Sequence, residues 1–459
     1  MDYSKKTREE LIALCKEKGI KGYSGKKKPD LLALLSPLPK EHPVLPHVTE
    51  ASAEASAEAL DPTRTALSLF SGAGGDTCGL EQAGWNVTHF SEFNTSAIQT
   101  HERAFPHSTL LQTGTSTDIK QIPDDTFANL QGRIQLIFAG FPCQGFSHAG
   151  KKRADDPRNE LVHEFVRATR LIQPEWIIGE NVKGLLSRKG VYPPNTEARP
   201  VIDIIRELFK DIGYHITYRV IDVREVGVPQ FRKRLLLIGH KGATDYPHAP
   251  WDTFLSIPES LGIRHMLTPT LEGAMEFPPR YQPQEQSPHY WIPTTETNPT
   301  GKPHPNLERL VAGKRNLSTK EKREANRGED EKVEYIEPNG LISFGVRKSG
   351  YHGQILDPDA PSKTIICAYN QCPRLFVGLY NTTTKKYWIR CLTYEECAQI
   401  QGFDASYPWQ GSVKDKMIQI GNAVPPPLAR TIATMLPSIT FHSTPQTAAE
   451  ETEPTSEED

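Results

Sequence analysis

Three apolar runs of the chain end in residues that can make and break bonds. Leu136–Ala139 is followed by Gly140-Phe141-Pro142-Cys143-Gln144-Gly145-Phe146-Ser147, which puts a thiol on the exit turn of a strand, where a merely structural cysteine would sit inside one. Trp176-Ile177-Ile178 ends in Gly179-Glu180-Asn181-Val182, a carboxyl group at the end of a second strand. Gln230-Phe231-Arg232-Lys233-Arg234 enters a third run, Leu235–Ile238, and alternation along a strand places Arg232 and Arg234 on one face. Thiol, carboxyl and paired guanidinium groups are the side chains of nucleophilic and acid–base chemistry.

A fourth run, Thr65–Phe70, leads directly into Ser71-Gly72-Ala73-Gly74-Gly75. Small residues after a first strand let the backbone approach a ligand, as in open α/β sheets. Eighteen residues after Gly74, just past the second strand, comes Glu92, placed to accept hydrogen bonds from both ribose hydroxyls of an adenosine, and the adjacent Phe93 can stack on the adenine. Neither G-x-G-x-x-G nor a P-loop lysine is present, so a nucleoside without phosphate fits better than a nucleotide, and S-adenosylmethionine is the expected cofactor. Asp118 can accept from the adenine amino group.

The elements that must position these groups are legible from the apolar pattern. Strand-like runs at 65–70, 85–90, 134–139, 176–178, 215–220 and 235–238 alternate with helical stretches at 94–105, 161–172 and 201–212. This βα alternation predicts an α/β fold with a mostly parallel, doubly wound, Rossmann-like sheet. It stops near Gly242, where twelve prolines fall within 246–305 and a charged run covers 314–332. Order returns around 375–379 and 392–400, and the last residues carry only acidic charges.

In these motifs the chain resembles the DNA (cytosine-5) methyltransferase family, over about residues 65–240 and 390–435. The family's ordered motifs stand here as Phe70-Ser71-Gly72-Ala73-Gly74, Glu92, Pro142-Cys143-Gln144, Glu180-Asn181-Val182 and Gln230-Phe231-Arg232-Lys233-Arg234. They continue as Arg390-Cys391-Leu392-Thr393 with Glu396, Gln401-Gly402-Phe403, and Gly421-Asn422-Ala423-Val424-Pro425. The resemblance implies transfer of a methyl group from S-adenosylmethionine to carbon 5 of cytosine, leaving S-adenosylhomocysteine. Cys143 is then the nucleophile, Glu180 the acid at ring nitrogen 3, Arg234 the partner of the ring oxygen, and Arg232 a contact to the neighbouring part of the site or the DNA backbone. The glycine loop, Glu92, Phe93, Asp118, Pro142, Asn422 and Ala423 become cofactor contacts. Attack on the ring face requires the cytosine to leave the helical stack. Gln144, Ser147, Lys151, Lys152 and Arg153, followed by Arg158, form a loop suited to closing on DNA.

The implied organisation is a catalytic domain at 63–242, a target-recognition region at 243–389 and a return at 390–437 that completes the catalytic domain. A flexible linker at 41–62 and an acidic, disordered tail at 438–459 flank it. Residues 1–40 read as a pair of short helices, the first opened by a Thr7/Glu10 capping box, around a turn bearing Lys26, Lys27 and Lys28, which resembles a SAP-like DNA-holding module. The formal net charge of −3 therefore hides a basic arm of +5 over residues 1–40 and six acidic residues after 440. DNA senses such local clusters because charges beyond about 8 Å are screened.

Seven cysteines without a C-x-x-C pair argue against disulfides and zinc, and fifteen histidines without ligand spacing predict no metal. Cys15, Cys78, Cys391 and Cys397 read as packing residues, and Cys367 and Cys372 as flanks of a recognition-lobe strand. Arg390, Thr393 and Glu396 read as architectural, fixing that lobe to the core. No apolar run approaches the ~18–20 residues of a membrane span, so a soluble intracellular protein is expected, nuclear or in a viral replication compartment if the source is a eukaryote or its virus. Double-stranded DNA is the expected partner of a monomeric chain, with a cognate restriction nuclease where the source carries one. Two rival readings are a non-catalytic scaffold, against which the intact Cys143, Glu180 and Arg234 speak, and an RNA methyltransferase, against which the long insert at 243–389 speaks.

Overall fold

The computed structural model describes residues 7, 9, 10, 16, 28, 64–142, 161–190, 197–242, 247–258, 260–277, 288–305, 307, 335–336, 342–343, 354–371, 373–438 and 440–441. The chain divides into two units, residues 1–59 and 60–459. In the first, the capping box is present: the Thr7 amide donates to Glu10 Oε2 at 2.7 Å and the Glu10 amide to Thr7 Oγ1 at 3.3 Å. Lys28 is helical and exposed, whereas Cys15, Lys26 and Lys27 lie outside the described residues.

The second unit is built on a seven-stranded sheet. Its elements are β1 (Thr65–Leu69), α1 (Gly75–Gln82), β2 (Asn86–Ser91), α2 (Thr95–Ala104), β3 (Thr109–Leu110), β4 (Leu136–Ala139), α3 (Leu161–Ile172), β5 (Trp176–Val182), α4 (Val201–Lys210), β6 (Tyr214–Asp222), β7 (Gln230–Phe231) and β8 (Lys233–Lys241), of which the short β7 stands outside the sheet. The strand order is β3-β2-β1-β4-β5-β8-β6. The first five strands are parallel, and β8 is antiparallel to both β5 and β6. Central strands buried on both faces explain the continuous apolar runs. Period-two alternation sends Leu67, Leu69, Ile137, Ala139 and Ile177 into one core with Phe165, Ile172, Ile205 and Phe209 of α3 and α4. Ala66, Leu136, Phe138 and Ile178 face the other way, toward Leu80 of α1 and Leu428 and Ile432 near the chain's end.

The smaller lobe has a five-stranded sheet made of β9 (Met275–Glu276), β10 (Trp291–Thr294), β11 (Gln354–Ile355), β13 (Leu375–Asn381) and β14 (Tyr387–Cys391), while β12 (Ser362–Lys363) pairs with β7 of the catalytic half. The return comprises α5 (Tyr394–Ile400), α6 (Val413–Asn422) and α7 (Pro426–Met435). Two expected boundaries shift. Residues 247–255 stay with the catalytic core, because Ala249 and Leu255 are buried in it and Trp251 and Phe254 pack against it. The strand at Tyr387–Cys391 runs through the boundary expected at 389. The proline-rich composition had masked the first of these anchors. The acidic residues after 441 lie outside the described residues.

The architectural trio behaves as expected. Arg390 and Glu396, each 1% exposed, form a two-pronged ion pair at 2.6 and 2.8 Å. The Arg390 guanidinium also donates to the Thr268 and Thr270 carbonyls, the Thr268 amide donates to Glu396 at 2.8 Å, and Thr393 caps α5. One buried charge pair thus fastens the start of the recognition lobe to the return.

Candidate active site

The strand order reverses between β1 and β4, and ligands of doubly wound sheets bind at the carboxyl ends beside such a switch point. Leu69, Ala139 and Gly179 share one row of the register, so the residues one step beyond are Phe70, Gly140 and Glu180. The glycine loop, the Pro142 turn and the carboxyl group therefore emerge together from three adjacent strands.

The glycine loop is fixed by hydrogen bonds from the end of β2. Phe70 adopts a left-handed conformation with φ 58°, which costs an ordinary residue about 1–3 kcal/mol. It is held there because its amide donates to Ser91 Oγ at 3.1 Å and the next amide donates to the Ser91 carbonyl at 3.0 Å. Glu92 accepts from the Gly72 amide at 2.8 Å and from the Phe93 and Asn94 amides at 2.9 and 2.8 Å. Burial raises the Glu92 carboxyl above its ordinary range and these three amides oppose the shift. Phe93 is 74% exposed, an aromatic face held at the mouth of the loop.

The glycines divide their tasks in a way the sequence did not show. A Cβ on Gly75 would lie 2.2 Å from the Val424 carbonyl oxygen and one on Gly79 2.3 Å from that of Pro426, so these two let the return approach α1. Gly72, at φ +58°, faces open space, so no neighbour blocks an approach to its backbone. Below the loop, Asp76 is 1% exposed and accepts from the hydroxyls of Ser68 and Ser71. Burial pushes its carboxyl up to about 6. The Tyr407 hydroxyl donates to the Ala73 carbonyl, tying the loop to the return.

Asp118 is exposed and caps a short 3-10 turn at Ile119–Gln121, accepting from the Lys120 amide at 3.1 Å. Asn422 is exposed at the end of α6, whereas Ala423 is buried and its carbonyl is used internally. Gly72, Glu92 and exposed Phe93 fit an adenosine group: an unobstructed backbone, an acceptor for hydroxyls and a ring to stack.

At the reactive end, Arg234 lies opposite Val182 in the β8–β5 register, making it the diagonal neighbour of Glu180 on the same face. The two side chains meet at 2.7 Å, Nε to Oε1, with 13% and 12% exposure. Burial raises the Glu180 carboxyl, opposed by the positive charges of Arg234 and Arg232. Asn181, 2% exposed, donates from Nδ2 to the Phe141 carbonyl at 3.1 Å and so ties the β5 end to the turn at Pro142. This role of Asn181 is not legible in its residue type; its place next to Glu180 within a motif is the available signal. Cys143, Gln144, Ser147, Lys151, Lys152, Arg153 and Arg158 lie outside the described residues, directly after Pro142.

Arg232 is a correction. Expected at the reacting groups or the DNA backbone, it is 2% exposed and donates at 3.1 Å to three carbonyls, those of Ile365, Gly421 and Ala423. Gln230 donates to Gln401 at 2.7 Å and accepts from the Ile365 amide, and Gln401 donates to the Ile420 and Ala423 carbonyls. This buried knot joins β7, the recognition segment and the return, and makes Arg232 a positioning residue. Strand alternation alone could not distinguish a cation facing substrate from one facing backbone.

The cysteine expectations are mostly met. Cys397 is buried in α5, and burial pushes the Cys78 and Cys391 thiols up to about 12, which favours the protonated form. Cys367, however, is exposed in the segment packed on Gly421, where a Cβ would lie 2.2 Å from the Cys367 amide nitrogen, while β13 begins only at Leu375. It does not flank that strand, and Cys372 lies outside the described residues. Among the described residues no group of three His, Cys, Asp or Glu side chains could hold a metal, and no helix is long and apolar enough to cross a membrane.

A doubly wound sheet with a glycine loop beside a half-buried acid–guanidinium pair fits a methyltransferase-type α/β protein. Residues 65–438 match the C-5 cytosine-specific DNA methylase family, and the chain belongs to that family. It is a DNA (cytosine-5) methyltransferase. It is 29% identical over 386 residues to the type II methyltransferase M1.HphI of Haemophilus parahaemolyticus, covering 80% of this chain and 85% of that protein. It is also 29% identical to M.FnuDI of Fusobacterium nucleatum, covering 80% and 92%. In fold, it is similar to the crystal structure of the S. pombe Dnmt2 methyltransferase, with a TM-score of 0.51 at 16% identity over 82% of this chain and 98% of that one.

Proposed function

We propose that the chain methylates carbon 5 of a cytosine flipped out of double-stranded DNA, through a covalent adduct with Cys143, in a sequence context set by the recognition region. The observation that carries this reading is the half-buried Glu180–Arg234 pair at the carboxyl end of β5, tied through Asn181 to the turn that leads into Cys143.

Carbon 5 of cytosine is a weak nucleophile. The Cys143 thiolate adds to carbon 6, and the displaced ring electrons move toward nitrogen 3, where Glu180 delivers a proton. Burial keeps the acid form of Glu180 available above the ordinary carboxyl range. Arg234 holds the ring oxygen, and a guanidinium suits this task because it stays charged and presents several donors in one plane. Bound S-adenosylmethionine supplies the electrophilic methyl group for the activated carbon 5. Loss of the carbon 5 proton to a base then expels the thiolate, and return of the nitrogen 3 proton to Glu180 restores the neutral aromatic ring. Glu92 would accept from the ribose, Phe93 stack on the adenine, Asp118 accept from its amino group, and Asn422 complete the pocket. Gln144, Ser147, Lys151, Lys152 and Arg153 would close on the DNA.

The test is trapping on a duplex carrying 5-fluorocytosine with S-adenosylmethionine, because fluorine at carbon 5 blocks the last elimination. Wild type should form a covalent complex and Cys143→Ser none; an adduct with the serine variant would overturn the mechanism. The basic arm at 1–40, with Lys26, Lys27 and Lys28, adds non-specific DNA affinity in this reading. Its deletion should weaken binding and flatten the salt dependence while leaving single-turnover methylation unchanged. Unaltered binding would remove the arm from the DNA interface.

A further inference from the structure

The segment carrying Asp118 has little sheet structure to hold it. Between β3 and the helix at Asp124–Ala128 its only ladder contact among the described residues is the isolated bridge between Thr113 and Ser116. Ile119 and Ile122 are buried in the core beside Phe127 and Phe165, but apolar anchors fix depth better than direction. Direction comes from Arg167 of α3. Its Nη2 donates to the Ile119 carbonyl at 2.8 Å, and its Nη1 to the Ile122 carbonyl at 3.0 Å and to Asp124 at 2.7 Å. Its Nε donates to Glu164 at 2.8 Å, and the guanidinium lies 4.9 Å from the centre of the Phe127 ring. All three nitrogens are thus engaged, and two of them hold carbonyls at and just past the turn that Asp118 caps. Asp118 spends Oδ1 on the Lys120 amide, and Oδ2 has no hydrogen-bond partner among the described residues.

We infer that Arg167 is a positioning residue for the cofactor site: it fixes the Ile119–Ile122 turn so that the second oxygen of Asp118 is aimed at the adenine amino group, and thereby sets selectivity for adenine. The inference rests on the reading of Asp118 as the acceptor for that group. A rigid guanidinium fork can bridge two carbonyls and two carboxylates at once, which a lysine ammonium cannot.

The experiment is calorimetric titration of the full chain with S-adenosylhomocysteine and with its 6-deamino analogue, which has hydrogen in place of the adenine amino group. Wild type should prefer S-adenosylhomocysteine by about tenfold or more, in line with the value of a hydrogen bond to a charged acceptor. Arg167→Met should bring the two ligands within about twofold of each other, Asp118→Ala should do the same, and the double variant should be no worse than either. Arg167→Lys should behave as Arg167→Met and serves as the second probe if the methionine variant does not fold. Equal weakening of both ligands by the Arg167 variants, with discrimination kept, would make Arg167 a purely structural residue and overturn the inference. Discrimination that survives Asp118→Ala would instead remove Asp118 as the acceptor, and the inference with it.

Discussion

Around the glycine loop most hydrogen bonds join residues close in the chain, Ser71 to Asp76 across five positions and Gly72 to Glu92 across twenty, with Tyr407 to Ala73 the long-range exception. Around Glu180 and Arg234 they join distant ones: Arg232 reaches Ile365 across 133 positions and Gly421 across 189, and Gln230 reaches Gln401 across 171. One βαβ unit builds most of the cofactor half. The reactive half is braced only when the recognition segment and the return have both docked. Damage at the first should therefore remain local, whereas damage behind the second should be felt as lost stability of the whole unit.

The largest effect should come from the reacting carboxyl itself. Glu180→Gln should lower single-turnover methylation by about 10²–10⁴-fold, the usual worth of a general acid, with cofactor affinity and folding unchanged. Because the Glu180 carboxyl is raised, its acid form is lost only as pH rises through that elevated value. Wild-type rate should fall across that limb and the Gln variant should lack it. A variant with near-normal turnover and an unchanged pH profile would remove Glu180 from the chemistry.

Next in size is the knot behind it. Arg232→Met strips a donor from three buried carbonyls; Ala423 keeps its bond from Gln401, and the other two cost about 1–3 kcal/mol each, so a loss on the order of 4 kcal/mol is expected in urea denaturation. A loss below about 1 kcal/mol would show that the two halves are not braced differently.

The smallest and most local effect belongs to Asp76. With its carboxyl pushed up to about 6 by burial, the folded state holds the proton more tightly than the unfolded chain. The group's contribution is complete below its ordinary value near 3.8, is lost as pH rises toward 6, and above that leaves a penalty of up to about 3 kcal/mol. Asp76→Asn should therefore stabilise the protein more at pH 8 than at pH 5, as read by thermal unfolding at the two values. Equal shifts at both would mean that the Asp76 charge carries no such cost.

The sheet was legible because its central strands are apolar on both faces and its helices carry one apolar stripe; α3 ends at Ile172, where its periodicity predicts. The position of Glu180 followed from its place at the end of an apolar run. Arg232 and Arg234, two residues apart and of one type, could not be separated in the sequence, because a strand pattern gives the face of a side chain and not its partner. Nor could the tasks of Gly72, Gly75 and Gly79 be told apart, since each depends on whether the return lies 2 Å away or solvent does.

By itself, the sequence determined the α/β class, the order of the motifs and the reactive residue types, because periodicity and spacing along the chain are enough to specify them. The tertiary structure alone decided that β8 enters antiparallel between β5 and β6, bringing Arg234 diagonally against Glu180, and that Arg232 turns inward. These are pairings between residues tens to hundreds of positions apart. They are fixed by which surfaces bury one another, and no local pattern in the chain encodes that.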